Sequence, residues 1–284
     1  MNGAQPLRMP SIAEIAAFES DGFVVLRDVL DPAWLVDLED ACARLLLLPD
    51  TLDITEETLR FAMPQGPVGL FGVAPYQATL ERRGHFRMHF NTARRDAAVM
   101  DFSLRGAVGA LAAAVMRSTT ARFVDDILFV KESHTEEPTE WHDDDGGGVA
   151  TGTQRCSVWV SLADAPQETG PLRFLRGSHR RFHGWRAQGL KAALLVEDHV
   201  GDVVSCPIRL GDVVVHHLDT IHAAGSNRSG APRRSWALRF GGDDARFILR
   251  PARREAREWY GLADHDLLTG PRFPLAWPVD GDPA

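Results

Sequence analysis

The residues able to do chemistry lie in the second half of the chain. Trp141-His142-Asp143-Asp144-Asp145 places a histidine two residues ahead of a carboxylate. On extended backbone, residues i and i+2 leave the same face, so His142 and Asp144 offer a nitrogen and an oxygen donor side by side. The same run also reads as an acidic surface loop ahead of Gly146-Gly147-Gly148. A third donor must come from elsewhere. His222 ends an apolar run that starts near Gly211 and precedes a turn, a common setting for a site residue. Two histidines and one carboxylate form the facial set of non-haem Fe(II) oxygenases, which leaves three coordination positions open. His216 and His217 are rival ligands closer to mid-strand, and the pattern favours His222.

A dicarboxylate co-substrate such as 2-oxoglutarate needs a cation. Arg233 follows His222 on the next strand, and its guanidinium can grip a carboxylate with two parallel bonds. Ser235 shares its strand face and can add a hydroxyl. Arg234 points to the other face and reads as a solvated or structural cation. Arg239 has the parity of Arg233 and reads first as a partner in a structural ion pair.

These residues need elements to hold them. Ser11-Ile-Ala-Glu14 fits a capping box, and Phe23-Val-Val-Leu26 is a short β-like run. Asp31-Pro32 opens a helix with Leu35, Leu38, Cys42 and Leu45 on one face. Residues 51–90 read as irregular, and 103–116 as one Ala-rich buried helix. From residue 121 the period changes. Strand-like runs at 127–130, 157–162, 201–204, 211–215 and 235–240 are separated by turns. Several short strands of this kind suggest a sandwich or barrel, and no GxGxxG or P-loop follows any of them. The expected fold is mainly β with helices: a double-stranded β-helix (jelly-roll, cupin-like) core with N-terminal helices packed on one sheet.

Composition narrows the function. With 284 residues and 44% hydrophobic content the chain is globular. Its net charge of −8 works against nucleic-acid binding. The longest apolar run, Ala107–Met116, is far short of a membrane span. Cys42, Cys156 and Cys206 are scattered, as expected of reduced thiols in a cytoplasmic protein.

The ordered set of motifs resembles the phytanoyl-CoA dioxygenase family. The matching stretches are Phe18–Arg27, Leu128–Lys131, Trp141–Asp144, Ser157–Leu162, Gly170–Arg173, Gly177–His179, Gly211–Val215 and His222–Arg233. The resemblance implies a 2-oxoglutarate-dependent non-haem iron dioxygenase. Fe(II) would sit on His142, Asp144 and His222, 2-oxoglutarate on Arg233, and O₂ would be consumed, with ascorbate as the in vitro reductant. It implies a small-molecule substrate, such as a secondary metabolite, amino-acid derivative or acyl compound, and hydroxylation with release of succinate and CO₂. Desaturation, epimerisation and cyclisation use the same triad. Related halogenases lack the carboxylate that Asp144 supplies.

Lys131 matches a family lysine that shapes the pocket, or is a strand-end lysine. Trp159 matches an aromatic position walling the 2-oxoglutarate pocket, or packs in the core. Asp126 matches a frequent acid with no role derivable from sequence. Arg87, His89 and Asn91 alternate, so they line the substrate pocket together or form a polar outer face. Residues 61–80 and Gly146–Thr153 are further pocket-wall candidates. One domain spanning 1–284 is expected: a helical part over about 1–120, the jelly-roll core over about 121–245, and a C-terminal wrap over about 246–284. A non-catalytic cupin-like metal-binding module is the alternative from another class. A zinc hydrolase lacks any HExxH.

Overall fold

Helix α1 (Ile12–Asp21) starts as its residues dictate. The Ser11 hydroxyl accepts from the Glu14 N–H, and the Glu14 carboxylate accepts from the Ser11 N–H. Arg8 adds two bonds to the same carboxylate, at 2.8 and 2.6 Å. After β1 (Phe23–Leu26), the Asp31 carboxylate accepts from the Ala33 N–H at 2.9 Å as α2 (Ala33–Leu45) begins. Leu35, Leu38, Cys42 and Leu45 are buried along it, as their spacing predicts. The computed structural model describes residues 5–55, 84–249 and 260–278.

The helix expected over 103–116 is two helices, α3 (Ala97–Arg105) and α4 (Val108–Val115), bent by 41°. Gly106 sits at the break with extended backbone, so close to the Phe102 carbonyl that no side chain fits. Of the segment expected to be irregular over 51–90, residues 56–83 lie outside the described residues, and the described ends form β2 (Leu52–Asp53) and β3 (Phe86–Phe90). Phe86 and Met88 stabilise β3 by packing with Ile127 and Phe129, contacts too distant in sequence for local patterning to show.

The remaining strands are β4 (Ala121–Lys131), β5 (Thr139–His142), β6 (Ala150–Thr151), β7 (Arg155–Ser161), β8 (Leu172–Leu175), β9 (Val203–Ser205), β10 (Val213–His217), β11 (His222–Ala224), β12 (Arg233–Gly241), β13 (Arg246–Phe247) and β14 (Leu275–Trp277). They form a large antiparallel sheet in the order β1-β10-β7-β12-β4-β3-β2, with β14 also on β4, and a smaller sheet β5-β11-β8-β9. A third pair joins β13 and β6.

Strand alternation sorts the large sheet into two faces. Val158, Val160, Val213, Val215, Trp236 and Leu238 face the helices in the main core. Phe23, Trp159, Val214 and Ala237 face the other way, against Leu172, Phe174 and Ala224 of the small sheet. Helices, large sheet and small sheet are therefore three layers, and the jelly-roll interior lies between the two sheets. The outer face of the small sheet is covered by Trp185, Leu195 and Val196, which pack on Trp141, Leu175 and Ile221. No single helix among the described residues is long and apolar enough to cross a membrane.

Candidate active site

His142 ends β5 and His222 begins β11, and the two are direct cross-strand partners with ring centroids 4.3 Å apart. Asp144 joins them by a different route from the extended pairing expected. The strand stops at His142, and Asp144 has helical backbone at the head of a 3₁₀ turn over Asp145–Gly147. Its N–H donates to the Leu218 carbonyl at 2.8 Å, which ties the turn to the segment leading into His222. Potential ligand atoms of the three residues lie within 4.8 Å of one another, and all three side chains are buried.

Hydrogen bonds set the histidine tautomers. Nδ1 of His142 meets the Glu140 carbonyl at 2.7 Å, and Nδ1 of His222 meets the Thr220 carbonyl at 2.9 Å. A carbonyl only accepts, so each Nδ1 carries the proton and each Nε2 presents a lone pair. Burial, then the neighbouring histidine, lowers both imidazoles to about 4, so both are neutral at pH 7. The rival histidines differ. His217 uses both nitrogens, Nδ1 accepting from the Asp219 N–H and Nε2 donating to the Thr153 carbonyl. His216 directs Nε2 at Asp144 Oδ2 at 3.3 Å, so that nitrogen carries its proton.

Three consecutive carboxylates are divided among three arginines. Asp143 turns outward to Arg186 and to Trp185 Nε1. Asp145 accepts from Arg155, which also bonds Asp219. Asp144 turns inward to Arg239, whose Nη2 is 2.9 Å from Oδ1. Burial would raise the Asp144 carboxyl, but Arg239 and the His216 hydrogen bond hold it well below the usual carboxylate range. The ion pair expected of Arg239 thus includes the candidate ligand, together with Asp125 at 3.1 Å.

The interior face of β12 continues from Arg239 to Ser235 and Arg233. Across the sheet, Ser235 is paired with Ser161, Arg239 with Ser157 and Arg233 with Lys131. The hydroxyls of Ser157, Ser161 and Ser235 and the Nε of Arg233 are buried and lack a hydrogen-bond partner among the described residues. Each such group costs about 1–3 kcal/mol when left unpaired. This polar lining suits an anionic ligand.

Arg233 donates through Nη1 to the carbonyls of Thr169 and Gly170, and its guanidinium carbon is 5.7 Å from the Trp159 ring centroid. Burial lowers it to about 10, so it stays charged at pH 7. Gly170 has φ +69°, and a side chain there would collide with the Gly225 carbonyl. That same Gly225 carbonyl accepts from Lys131 Nζ at 2.8 Å. Lys131 is fully buried, lies over the Phe86 ring and is held well below its usual range, by burial first and then by Arg233. Arg234 faces the helices and pairs with Glu39 of α2 at 2.9 Å.

Arg87, His89 and Asn91 are not brought to the triad. In β3 it is Phe86 and Met88 that share the face of Lys131 and Phe129. Arg87 and His89 take the other face, where Arg87 pairs with Glu132 at 3.1 Å and His89 with Asp50 at 3.5 Å. Asn91 has φ +57° and opens a 3₁₀ turn over Thr92–Arg94. Asp126 holds that turn, its carboxylate accepting from the N–H groups of Thr92 and Ala93. Residues 61–80 lie outside the described residues, whereas Gly146–Thr153 runs directly on from Asp144 into β6. Sequence reasoning misses Ser157 and Ser161, and reads His216 only as a rival ligand. The alternation Ser157-Val-Trp-Val-Ser161 carried the signal for both serines, since residues two apart share a face.

The profile of the phytanoyl-CoA dioxygenase (PhyH) family matches residues 18–235. No match is found among curated proteins. Among solved structures, the chain is similar to SnoK, a non-heme alpha-ketoglutarate-dependent carbocyclase from nogalamycin biosynthesis. The two share 22% identity with a TM-score of 0.72, over 94% of this chain and 96% of that one. AviO1 from Streptomyces viridochromogenes shares 24% identity with a TM-score of 0.63, over 86% and 99%. EctD from S. alaskensis, solved with 2-oxoglutarate and 5-hydroxyectoine, shares 21% with a TM-score of 0.59, over 84% and 78%. At these identities the likeness establishes the fold.

Proposed function

The chain belongs to the phytanoyl-CoA dioxygenase family of iron- and 2-oxoglutarate-dependent oxygenases, and we propose that it hydroxylates a small organic molecule at a ferrous ion held by His142, Asp144 and His222. One observation carries the ligand assignment. Two neutral imidazoles, each with Nδ1 bonded to a backbone carbonyl so that Nε2 is the unprotonated nitrogen, and one ionised carboxylate converge between the sheets. Neutral nitrogen and hard oxygen donors suit Fe(II), and no thiolate is near. A ferrous ion held there would supply the redox chemistry that joins oxidative decarboxylation of 2-oxoglutarate, to succinate and CO₂, with oxidation of the substrate by O₂.

The chain's own residues do the positioning. Arg233 supplies charge for the distal carboxylate of 2-oxoglutarate, and Ser235 adds a hydroxyl on the same face. Ser161 lies across the strand pair from Ser235. Trp159 forms a flat wall beneath the guanidinium. Lys131 adds a second basic nitrogen, paired in register with Arg233. Phe174, fully buried, packs 5.8 Å from the His222 ring and keeps water from that side. This anion-seating wall favours an oxygenase over a cupin-like module that only binds metal.

Cyclisation or epimerisation of the substrate is the second reading. Solved structures sharing this fold include a carbocyclase and an epimerase of nogalamycin biosynthesis, which also favours a secondary metabolite as substrate. Asp144 keeps its carboxylate, which opposes halogenation. The single domain outlined from sequence and a cytoplasmic setting complete the proposal, and the three cysteines are buried free thiols, consistent with a reducing compartment.

Succinate release from 2-oxoglutarate, with Fe(II), ascorbate and O₂, tests the function. We expect turnover that rises when the true substrate class is included in a metabolite screen and vanishes in His222→Ala. A well-folded protein that neither binds Fe(II) nor forms succinate would sink the proposal.

A further inference from the structure

Two inner-face groups lie apart from the co-substrate wall and converge on Asp144. Arg239 bonds both of its oxygens, Nη2 to Oδ1 at 2.9 Å and Nε to Oδ2 at 3.4 Å. His216 approaches Oδ2 through Nε2 at 3.3 Å. We propose that Arg239 and His216 are positioning residues that confine Asp144 to metal ligation through a single oxygen, Oδ1. The inference rests on the assignment of Asp144 as a ligand.

Lone-pair arithmetic supports it. An ionised carboxylate presents about four acceptor sites, two on each oxygen. Arg239 uses one on each, and His216 uses the second on Oδ2. The one left is on Oδ1, the oxygen 3.8 Å from Nε2 of His142. Oδ2 is closed and Oδ1 faces His142.

Both donors are held in place from behind. Arg239 is braced by Asp125 at 3.1 Å. The His216 ring packs against Phe174 and His222, with centroids 5.3 and 4.5 Å away. The flanking acids cannot substitute, because Asp143 is turned out to Arg186 and Asp145 is held by Arg155. One-oxygen ligation matters because a facial set leaves three positions open. A chelating 2-oxoglutarate would need two of them and O₂ the third, so a carboxylate turned to bind through both oxygens would leave too few.

Mn(II) serves as the probe, with affinity from titration and bound water from proton relaxivity. His216→Leu removes the donor to Oδ2, and His216→Gln retains an N–H that reaches it. Changing such an outer partner costs about 10–100-fold in metal affinity. We expect that loss in His216→Leu, together with a fall in relaxivity per bound ion of about one third, as three open positions become two. His216→Gln should recover most of both. Arg239→Lys, which keeps the charge beside Asp125 but loses the fork, should shift both readouts in the same direction.

Wild-type affinity and relaxivity in folded His216→Leu and Arg239→Lys would overturn the inference. So would weaker binding at unchanged relaxivity, which would mean a structural role only. Equal Mn(II) binding by wild type and His222→Ala would instead overturn the ligand assignment itself.

Discussion

Arg233→Ala tests the co-substrate assignment most directly. Arg233 is only 4% exposed, so a carboxylate meeting it is not screened by bulk water. A hydrogen bond to a charged group contributes about 1.5–3 kcal/mol, which predicts a KM for 2-oxoglutarate roughly ten- to hundredfold higher in the variant. Loss is moderated by Lys131, because Arg233 is itself one cause of the depressed Lys131 ammonium. Adding Lys131→Met to Arg233→Ala should therefore deepen the defect. Arg233→Lys should recover only part, since an ammonium cannot make the planar fork. Arg234→Ala is the control, being bonded to Glu39 on the opposite face. Succinate formation over a range of 2-oxoglutarate concentrations reads all four variants. A raised KM in Arg234→Ala with a normal one in Arg233→Ala would refute the reasoning, because it would require the strand to be turned over.

Further outcomes follow from other contacts. His142→Ala, Asp144→Ala and His222→Ala should each lose tight Fe(II) binding by calorimetry while keeping a native circular dichroism spectrum; retention in any one removes it from the ligand set. Asp126→Ala leaves the buried N–H groups of Thr92 and Ala93 unsatisfied, costing about 1–3 kcal/mol. A lower urea midpoint at constant m-value should show it, and an unchanged midpoint would contradict the role given to Asp126. Glu14→Gln should destabilise by about 1 kcal/mol at neutral pH through the weakened cap. The Glu14 carboxyl is lowered to about 2, by Arg8 first among the groups that stabilise its charge. A depressed folded value means stability present above the unfolded value of about 4.5 and lost as pH falls through about 2, so the variant and wild type should converge across that window. A constant difference down to pH 2 would argue against the ion pair.

How much the sequence disclosed depended on how local each cause was. The capping box at Ser11, the apolar face of α2 and the β-branched runs of β7 and β10 involve neighbours within a few residues, and all were legible. The family motifs single out His142, Asp144 and His222, whose potential ligand atoms the fold brings within 4.8 Å of one another, and Arg233, buried on the inner face of β12. Strand parity correctly separated Arg233 from Arg234. It did not say which way β3 turns, because that is decided by Phe86 and Met88 finding Ile127 and Phe129 across the sheet. Arg87 and His89 share one face, as their alternation implies, but that face looks away from the triad. The break at Gly106 is hidden by the apolar run that begins at Ala107 immediately after it. The sequence presents His216 only as a competing ligand, since its role depends on a hydrogen bond across 72 residues of sequence.

Arg233 and Lys131 are both held by backbone. Arg233 is tied to the Gly170 carbonyl and Lys131 to the Gly225 carbonyl. A carbonyl is present whatever residue occupies a position, so no substitution deletes either anchor outright. Vulnerability is transferred to the absence of side chains. A methyl at residue 170 would press on the Gly225 oxygen and pull both anchors out of line together. These two glycines are thus a shared constraint, and a side chain at Gly170 would displace Arg233 and Lys131 together without altering a single charged group.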